Sequence, residues 1–376
     1  MKIPVFDISL NSNEKKFIRD VIKKNNYTSG PYIKKFENEF GKINNSKFNI
    51  STSNGTNALH LCCKAIGIKE GDEVLVSSST NMASAFSIIY CGGVPIPIDI
   101  NNETWQIDPY LVEKKITKKT KAIMVVHLFG QSVEMDLILK IAKKYKLKII
   151  EDCAEAHGVF YKNKHVGNFG DVAAYSFYFN KSITSGEGGM VSTNSKRIYE
   201  FVKSYKNLCY GKKERFLHSG VGFNYRLSNL HSSLGYGITK NFKNILKKKN
   251  SIYNYYVSKL KNIKGIDIPK ISKNTSTYVM WVFNISLNNK FPLSRDELLK
   301  KLYKKGIETR KAFAPINYQD ILIKKFKGKF NKSDCKNANY IMNNGFYLPS
   351  GNNIKKKEIN FICDQIRLLS LKWEKL

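Results

Sequence analysis

A lysine at position 181 lies within Tyr175-Ser176-Phe177-Tyr178-Phe179-Asn180-Lys181-Ser182-Ile183-Thr184-Ser185-Gly186-Glu187-Gly188-Gly189-Met190, between an aromatic, strand-like run and a glycine-rich turn. A lysine in a low-polarity site gives up its proton more readily and becomes a nucleophile able to form a Schiff base with a carbonyl. The glycines that follow let backbone pass close to a bulky ligand. In so lysine-rich a chain the plain alternative is a surface lysine in a loop, and the aromatic and glycine neighbours argue against it.

Two further segments bear on the same chemistry. In Ile149-Ile150-Glu151-Asp152-Cys153-Ala154-Glu155-Ala156-His157-Gly158, an apolar strand runs directly into acids and then into small residues. A carboxylate at the end of a central strand is costly to bury unless something positive meets it, and a protonated ring nitrogen is one such group. An Asp that caps a following helix accounts for Asp152 equally well. In Ser53-Asn54-Gly55-Thr56-Asn57-Ala58-Leu59, a glycine between hydroxyl and amide side chains opens an amphipathic helix. Free N–H groups and the helix dipole suit that place to a phosphate, although a simple N-cap explains the same residues.

The elements that must position these groups follow from periodicity. Glu73–Ser77, Val94–Asp99, Ala122–His127, Lys148–Asp152, Val172–Phe177 and Met190–Thr193 are expected strands. Helical patterns such as Ala58–Ile66 and Met135–Tyr145 lie between them. Strands apolar on both faces and separated by helix-length segments predict an α/β domain with a mainly parallel sheet. Ligands gather at the carboxyl ends of such sheets, where Asp152 and His127 are expected. Residues 227–260 read as one long helix leading to a second part. There a strand (Val279–Leu287), a helix (Arg295–Lys305) and a terminal helix (Lys355–Lys372) predict an α+β unit. The expected division is a large domain over 1–244 and a small one over 245–376.

Composition limits the function classes. A chain of 376 residues that is 42% hydrophobic buries a substantial core. It has no run of eighteen apolar residues and no signal-like start, so a cytoplasmic protein without membrane attachment is expected. Seven cysteines without a CxxC pair read as reduced core thiols, and six histidines without HxH or HExxH spacing predict no metal site. The formal charge of +33 raises the possibility of nucleic acid. Only seven of the 63 basic residues are arginine, however, and the lysines are scattered, so no nucleic-acid partner is expected. The runs Lys247-Lys248-Lys249 and Lys355-Lys356-Lys357 read as solvated helix faces.

Taken together, the three segments resemble the DegT/DnrJ/EryC1/StrS sugar aminotransferases, a branch of the fold-type-I pyridoxal-phosphate (PLP) enzymes. The likeness spans nearly the whole chain. It includes Gly71-Asp72-Glu73-Val74, Val126-His127-Leu128-Phe129-Gly130, Gly222-Phe223-Asn224-Tyr225-Arg226-Leu227-Ser228-Asn229, Gly306-Ile307-Glu308-Thr309-Arg310 and Leu348-Pro349-Ser350. The resemblance implies an aspartate-aminotransferase-like fold, PLP as cofactor, and Lys181 and Asp152 as the catalytic pair. Lys181 would carry the cofactor and Asp152 would face its ring nitrogen. Glu155 would lie against the ring, and Gly55, Thr56 and Ser176 would hold the phosphate. Asn224 would reach that phosphate from a neighbouring subunit, which implies a homodimer with shared sites.

Glu151–Gly158, the order at 176–181, and Glu103-Thr104-Trp105 look most like the branch that aminates carbon 4 of GDP-4-keto-6-deoxymannose with L-glutamate. A UDP- or dTDP-linked keto-sugar is the alternative within the family, and a non-catalytic sugar-nucleotide sensor the alternative outside enzymology. Two features depart from the family pattern. Asn81 stands where relatives usually place an aromatic residue or methionine over the ring. Ser77-Ser78-Ser79 replaces a segment that usually contains proline and phenylalanine.

Overall fold

The computed structural model describes residues 2–211, 213–214 and 216–371. Its centre is a seven-stranded sheet: β1 (Phe48–Thr52), β2 (Glu73–Ser77), β3 (Val94–Ile98), β4 (Thr120–Val126), β5 (Lys148–Asp152), β6 (Val172–Ser176) and β7 (Gly189–Thr193). The order is β1-β7-β6-β5-β4-β2-β3. All neighbours run parallel except β7, which is antiparallel to both β1 and β6. Val, Ile and Leu on both faces of the central strands are buried between covering helices, as a parallel sheet requires.

Register fixes what meets at the carboxyl edge. Val126 of β4 pairs with Asp152 of β5, and Asp152 with Ala174 of β6. Ser176 then pairs with Gly189, which also pairs with Thr52. The helix Gly55–Ala65 packs across β6 and β7, bringing its first turn to the same edge.

Four expectations change. Strand β1 is not among the strands expected from periodicity, and its Asn49 and Ser51 are polar. In the fold both are buried and bonded, Asn49 to Asn44 and Ser192, and Ser51 to Glu37. The helix expected over 227–260 is two helices, Asn229–Lys240 and Phe242–Leu260, meeting at Asn241, whose φ of −96° and ψ of 6° leave the helical region. The strand expected from Val279 starts at Phe283, because the Val279 N–H is taken by the Gly130 carbonyl of a loop. In the run at 247–249, Lys247 and Lys248 are exposed but Lys249 is buried.

The C-terminal part forms a second, antiparallel sheet from Ile266–Asp267, Phe283–Leu287, Gly345–Leu348 and Arg310–Lys311. The helices Arg295–Lys304 and Lys356–Ser370 flank it, and Lys372 lies outside the described residues. Ile3 bridges to Ile307 and packs into this second core. Among the described residues no helix is long and apolar enough to cross a membrane.

Candidate active site

A cavity of about 340 Å³ opens at the carboxyl ends of β4, β5 and β6. Gly55, Thr56, Asp152, Glu155, Ser176 and Lys181 all line it. Residues more than a hundred positions apart in sequence are thus brought to one wall by strand register.

Lys181 sits in the turn after β6, its side chain 11% exposed. Its Nζ lies 3.5 Å from Glu155 Oε1 and 3.9 Å from the centre of the Trp281 ring. Burial lowers its pKa, against the opposing pull of Glu155 and Asp152. The result favours a neutral, nucleophilic amine more than water would. Glu155 accepts the Phe129 N–H through Oε2 at 3.0 Å, and burial pushes its carboxyl up to about 7. Phe129 takes a positive φ of 56° where this bond forms.

Asp152 closes β5. The Ser84 hydroxyl donates to its Oδ2 (2.8 Å) and the Ala154 N–H to its Oδ1 (3.1 Å). Ser84 in turn shares a 2.8 Å bond with Thr80. Burial raises the Asp152 pKa despite these donors and the nearby Lys181. Turns rather than a helix follow Asp152, so it caps nothing. A buried carboxylate with an incomplete complement of positive charge is a place for a cationic ring nitrogen.

Across the cavity, the Asn54 side chain accepts the Asn57 N–H and its carbonyl accepts that of Ala58. Both readings of this segment hold, because Asn54 is the N-cap while Gly55 and Thr56 still face the cavity. As the first helical residues, their N–H groups precede the intrahelical ladder. A β-carbon on Gly55 would stand 2.8 Å from the Ser176 Cβ, so only glycine lets the helix start this close to the β6 hydroxyl. Two leading N–H groups and a hydroxyl make a phosphate cradle. An amine for an aldehyde, a carboxylate for a ring nitrogen and this cradle together fit pyridoxal phosphate.

The family model for the DegT/DnrJ/EryC1/StrS aminotransferases matches residues 9–367. The chain belongs to this family. Among DegT/DnrJ/EryC1/StrS relatives, the GDP-perosamine synthase of Escherichia coli O157:H7 is 37% identical over 365 residues, covering 97% of each chain. The dTDP-3-amino-3,6-dideoxy-alpha-D-galactopyranose transaminase of Aneurinibacillus thermoaerophilus is 38% identical over 266 residues, covering 69% of this chain and 73% of its own. The crystal structure of S. venezuelae DesV in complex with a ketimine intermediate superposes with a TM-score of 0.91 at 27% identity, covering 98% of both chains. The protein is therefore a PLP-dependent aminotransferase of fold type I.

Some residues fall elsewhere. Asn224 is exposed and bridges to Asn207 through its backbone, away from the cavity of its own chain. His127 is a core residue bonded to Glu151 (3.1 Å) and the Val133 N–H (3.2 Å). His127, Glu151 and Cys153 offer atoms within 4.8 Å of one another, yet Glu151 already accepts the N–H groups of Gly167, Phe169 and Gly170. His157 packs among Phe40, Tyr175 and Phe177, and burial pushes its imidazole down to about 3.

Asn81 does line the cavity, but its side chain caps the helix Met82–Ile89 by accepting the Ala83 N–H. The aromatic surface comes instead from Trp281, Phe313 and Tyr347. Trp281 also donates its indole N–H to the Asn180 carbonyl at 3.0 Å, bracing the turn that carries Lys181. Sequence reading missed Trp281 and Ser84. Neither stands in a local pattern that betrays its partner.

Proposed function

We propose that this enzyme transfers the amino group of L-glutamate to carbon 4 of a nucleotide-linked 4-keto-6-deoxy sugar, converting GDP-4-keto-6-deoxymannose to GDP-perosamine. The observation that carries the aminotransfer is the Lys181 amine held against Glu155 and within the field of Asp152, on a cavity that ends in a phosphate cradle. The likeness to a GDP-perosamine synthase over nearly the full length supports the sugar. The dTDP-sugar transaminase match supports a dTDP-linked substrate as the second reading.

Lys181 would hold the cofactor through its amine and would serve as the base that moves the proton at the reacting carbon. Asp152 would face the ring nitrogen and keep it protonated, its carboxylate fixed by Ser84 and the Ala154 N–H. Glu155 would lie against the ring, and its charge tunes Lys181. Gly55, Thr56 and Ser176 take the phosphate. Pyridoxal phosphate, when bound, supplies the electron sink that makes the α-C–H of the donor acidic.

Asn224 completes the phosphate site of a second copy, and the working unit is a homodimer. The same proposal divides the chain into a cofactor domain (1–244) and a small domain (245–376), and places the enzyme in the cytoplasm, in surface-glycan or O-antigen synthesis. The deciding experiment follows the visible absorbance of the loaded enzyme as L-glutamate and then candidate keto-sugars are added. Glutamate should bleach the lysine-bound cofactor band and GDP-4-keto-6-deoxymannose should restore it. Restoration by a dTDP-sugar alone would move the assignment to the second reading.

A further inference from the structure

Lys181 borders two open spaces, the cofactor cavity and a second cavity of about 560 Å³. Such room leaves a long side chain several rotamers, so a fixed seat for its amine has to be imposed by other residues. Two of them stand close to it. Glu155 Oε1 lies 3.5 Å from Nζ, and the Trp281 ring lies 3.9 Å from it, centre to atom. The face of an indole attracts an ammonium group through its quadrupole.

The turn that carries the lysine is held at both ends. Before it, the Asn180 carbonyl accepts the Trp281 indole N–H (3.0 Å). After it, the Ile183 N–H donates to His157 Nδ1 (3.2 Å). These side chains come from 101 and 26 positions away, and both are themselves fixed. Trp281 is buried nearly parallel to Phe129 and Phe313, and its carbonyl accepts the Lys249 amine (3.0 Å). His157 is buried among Phe40, Tyr175 and Phe177. Because burial pushes its imidazole down to about 3, the ring is neutral at ordinary pH and Nδ1 keeps the lone pair that Ile183 needs. Trp281 leads into the strand Phe283–Leu287 of the antiparallel sheet, whereas His157 follows β5 of the central sheet. The two sheets thus grip one turn.

We propose that Trp281 and His157 are positioning residues for Lys181, clamping the turn at 180–183 between the two sheets while the Trp281 ring seats the amine at the cofactor cavity. This inference rests on the reading of Lys181 as the cofactor lysine and adds what sets its position. Displacing a reacting atom by about 1 Å costs roughly 10²-fold in rate, which is the scale of effect expected when the clamp is opened.

Uptake of PLP by the cofactor-free protein tests the clamp, through the rate at which the visible lysine-bound band rises over a series of pH values. The limiting rate at high pH reports the position of the neutral amine. The midpoint reports its charge, on which Glu155 and Asp152 also act. Trp281→Phe keeps a ring face but loses the N–H donor, and His157→Phe keeps aromatic packing but loses the acceptor. Each should lower the limiting rate about tenfold. Trp281→Leu loses ring and donor together and should lower it roughly 10²-fold. It should also move the midpoint to lower pH, because an apolar side chain excludes water without favouring the ammonium form. A merely structural role would lower the melting temperature and leave rate and midpoint alone. A wild-type limiting rate in either phenylalanine variant would overturn the clamp, and these variants decide the matter even if Trp281→Leu does not fold. A Trp281→Leu midpoint that stays or rises would overturn the seating of the amine by the ring. If Lys181→Ala still gave the band, the assignment of the cofactor lysine itself would fail instead.

Discussion

Lys181, in the turn after β6, and Lys249, within the helix Phe242–Leu260, are both withdrawn from water. Burial lowers the pKa of both, that of Lys249 to about 7. Their surroundings differ in kind. Lys249 is 3% exposed and donates to two main-chain carbonyls, those of Trp281 (3.0 Å) and Ser350 (2.7 Å). Burial is the whole cause of its shift, with no acid opposing it. Lys181 instead meets the Glu155 carboxylate and an aromatic face, feels the charge of Asp152, and opens on a cavity. Both are lysines in a dry place, yet one is a tether between segments and the other borders open space. Burial makes an amine neutral, but chemistry also requires that its lone pair have somewhere to go. Trp281 joins the two regions, because Lys249 holds its carbonyl while its ring covers Lys181.

The comparison breaks most visibly at Lys181. Lys181→Ala should bind cofactor and sugar nucleotide yet lose turnover by roughly 10⁴-fold, since it removes both the nucleophile and the general base. A steady-state rate near wild type would end the assignment. Asp152→Asn should keep the fold and lower kcat by roughly 10²-fold or more, because the neutral amide no longer holds the ring proton. An unchanged kcat would take Asp152 out of the role. Ser84→Ala removes one donor from that buried carboxylate. A hydrogen bond to a charged group contributes about 1.5–3 kcal/mol, so a loss of about tenfold or more in kcat/KM is expected, with the circular dichroism spectrum unchanged.

Lys249→Met sharpens the contrast, because turnover should remain readily measurable while the pH dependence of stability changes. The wild-type amine has a lower pKa folded than unfolded, so the unfolded chain binds more protons between about pH 7 and the ordinary lysine value. Wild-type stability therefore rises with pH across that window, by up to about 1.4 kcal/mol for each pH unit. The methionine variant lacks this slope but leaves two carbonyls without donors. Denaturant midpoints should show the variant disfavoured most at alkaline pH and gaining on the wild type as the pH falls to 7. Parallel curves would show that Lys249 is not a buried titrating group.

The smallest effect is expected at Glu155. Its carboxylate raises the Lys181 pKa, so Glu155→Gln should move the pH midpoint for PLP uptake by the cofactor-free protein to lower pH. A midpoint that stays or rises would show that Glu155 does not tune the lysine.

Much of the site was legible before folding. The β5 strand ending in Asp152, the turn around Lys181 and the helix start at Gly55 are local patterns, and each says where its own chain turns and what it presents there. The alternating apolar runs implied the parallel sheet, and that sheet implied its carboxyl edge as the place to look. The polar strand β1 escaped notice because its burial depends on amide and hydroxyl partners on other elements. The break at Asn241 escaped because an asparagine within a helical pattern announces no fixed angle.

What the sequence by itself determined was the set of reactive groups and the short segments that display them, since capping, turn geometry and strand alternation depend on neighbours a few positions away. Only the tertiary structure decided which lysines lose water and what meets them there. Lys247, Lys248 and Lys249 are alike in sequence, yet one is buried against two carbonyls and two flank a cavity. Trp281 reaches Lys181 from a hundred residues away. Desolvation and charge pairing sum over everything that packs around a group, and that sum exists only once distant segments have come together.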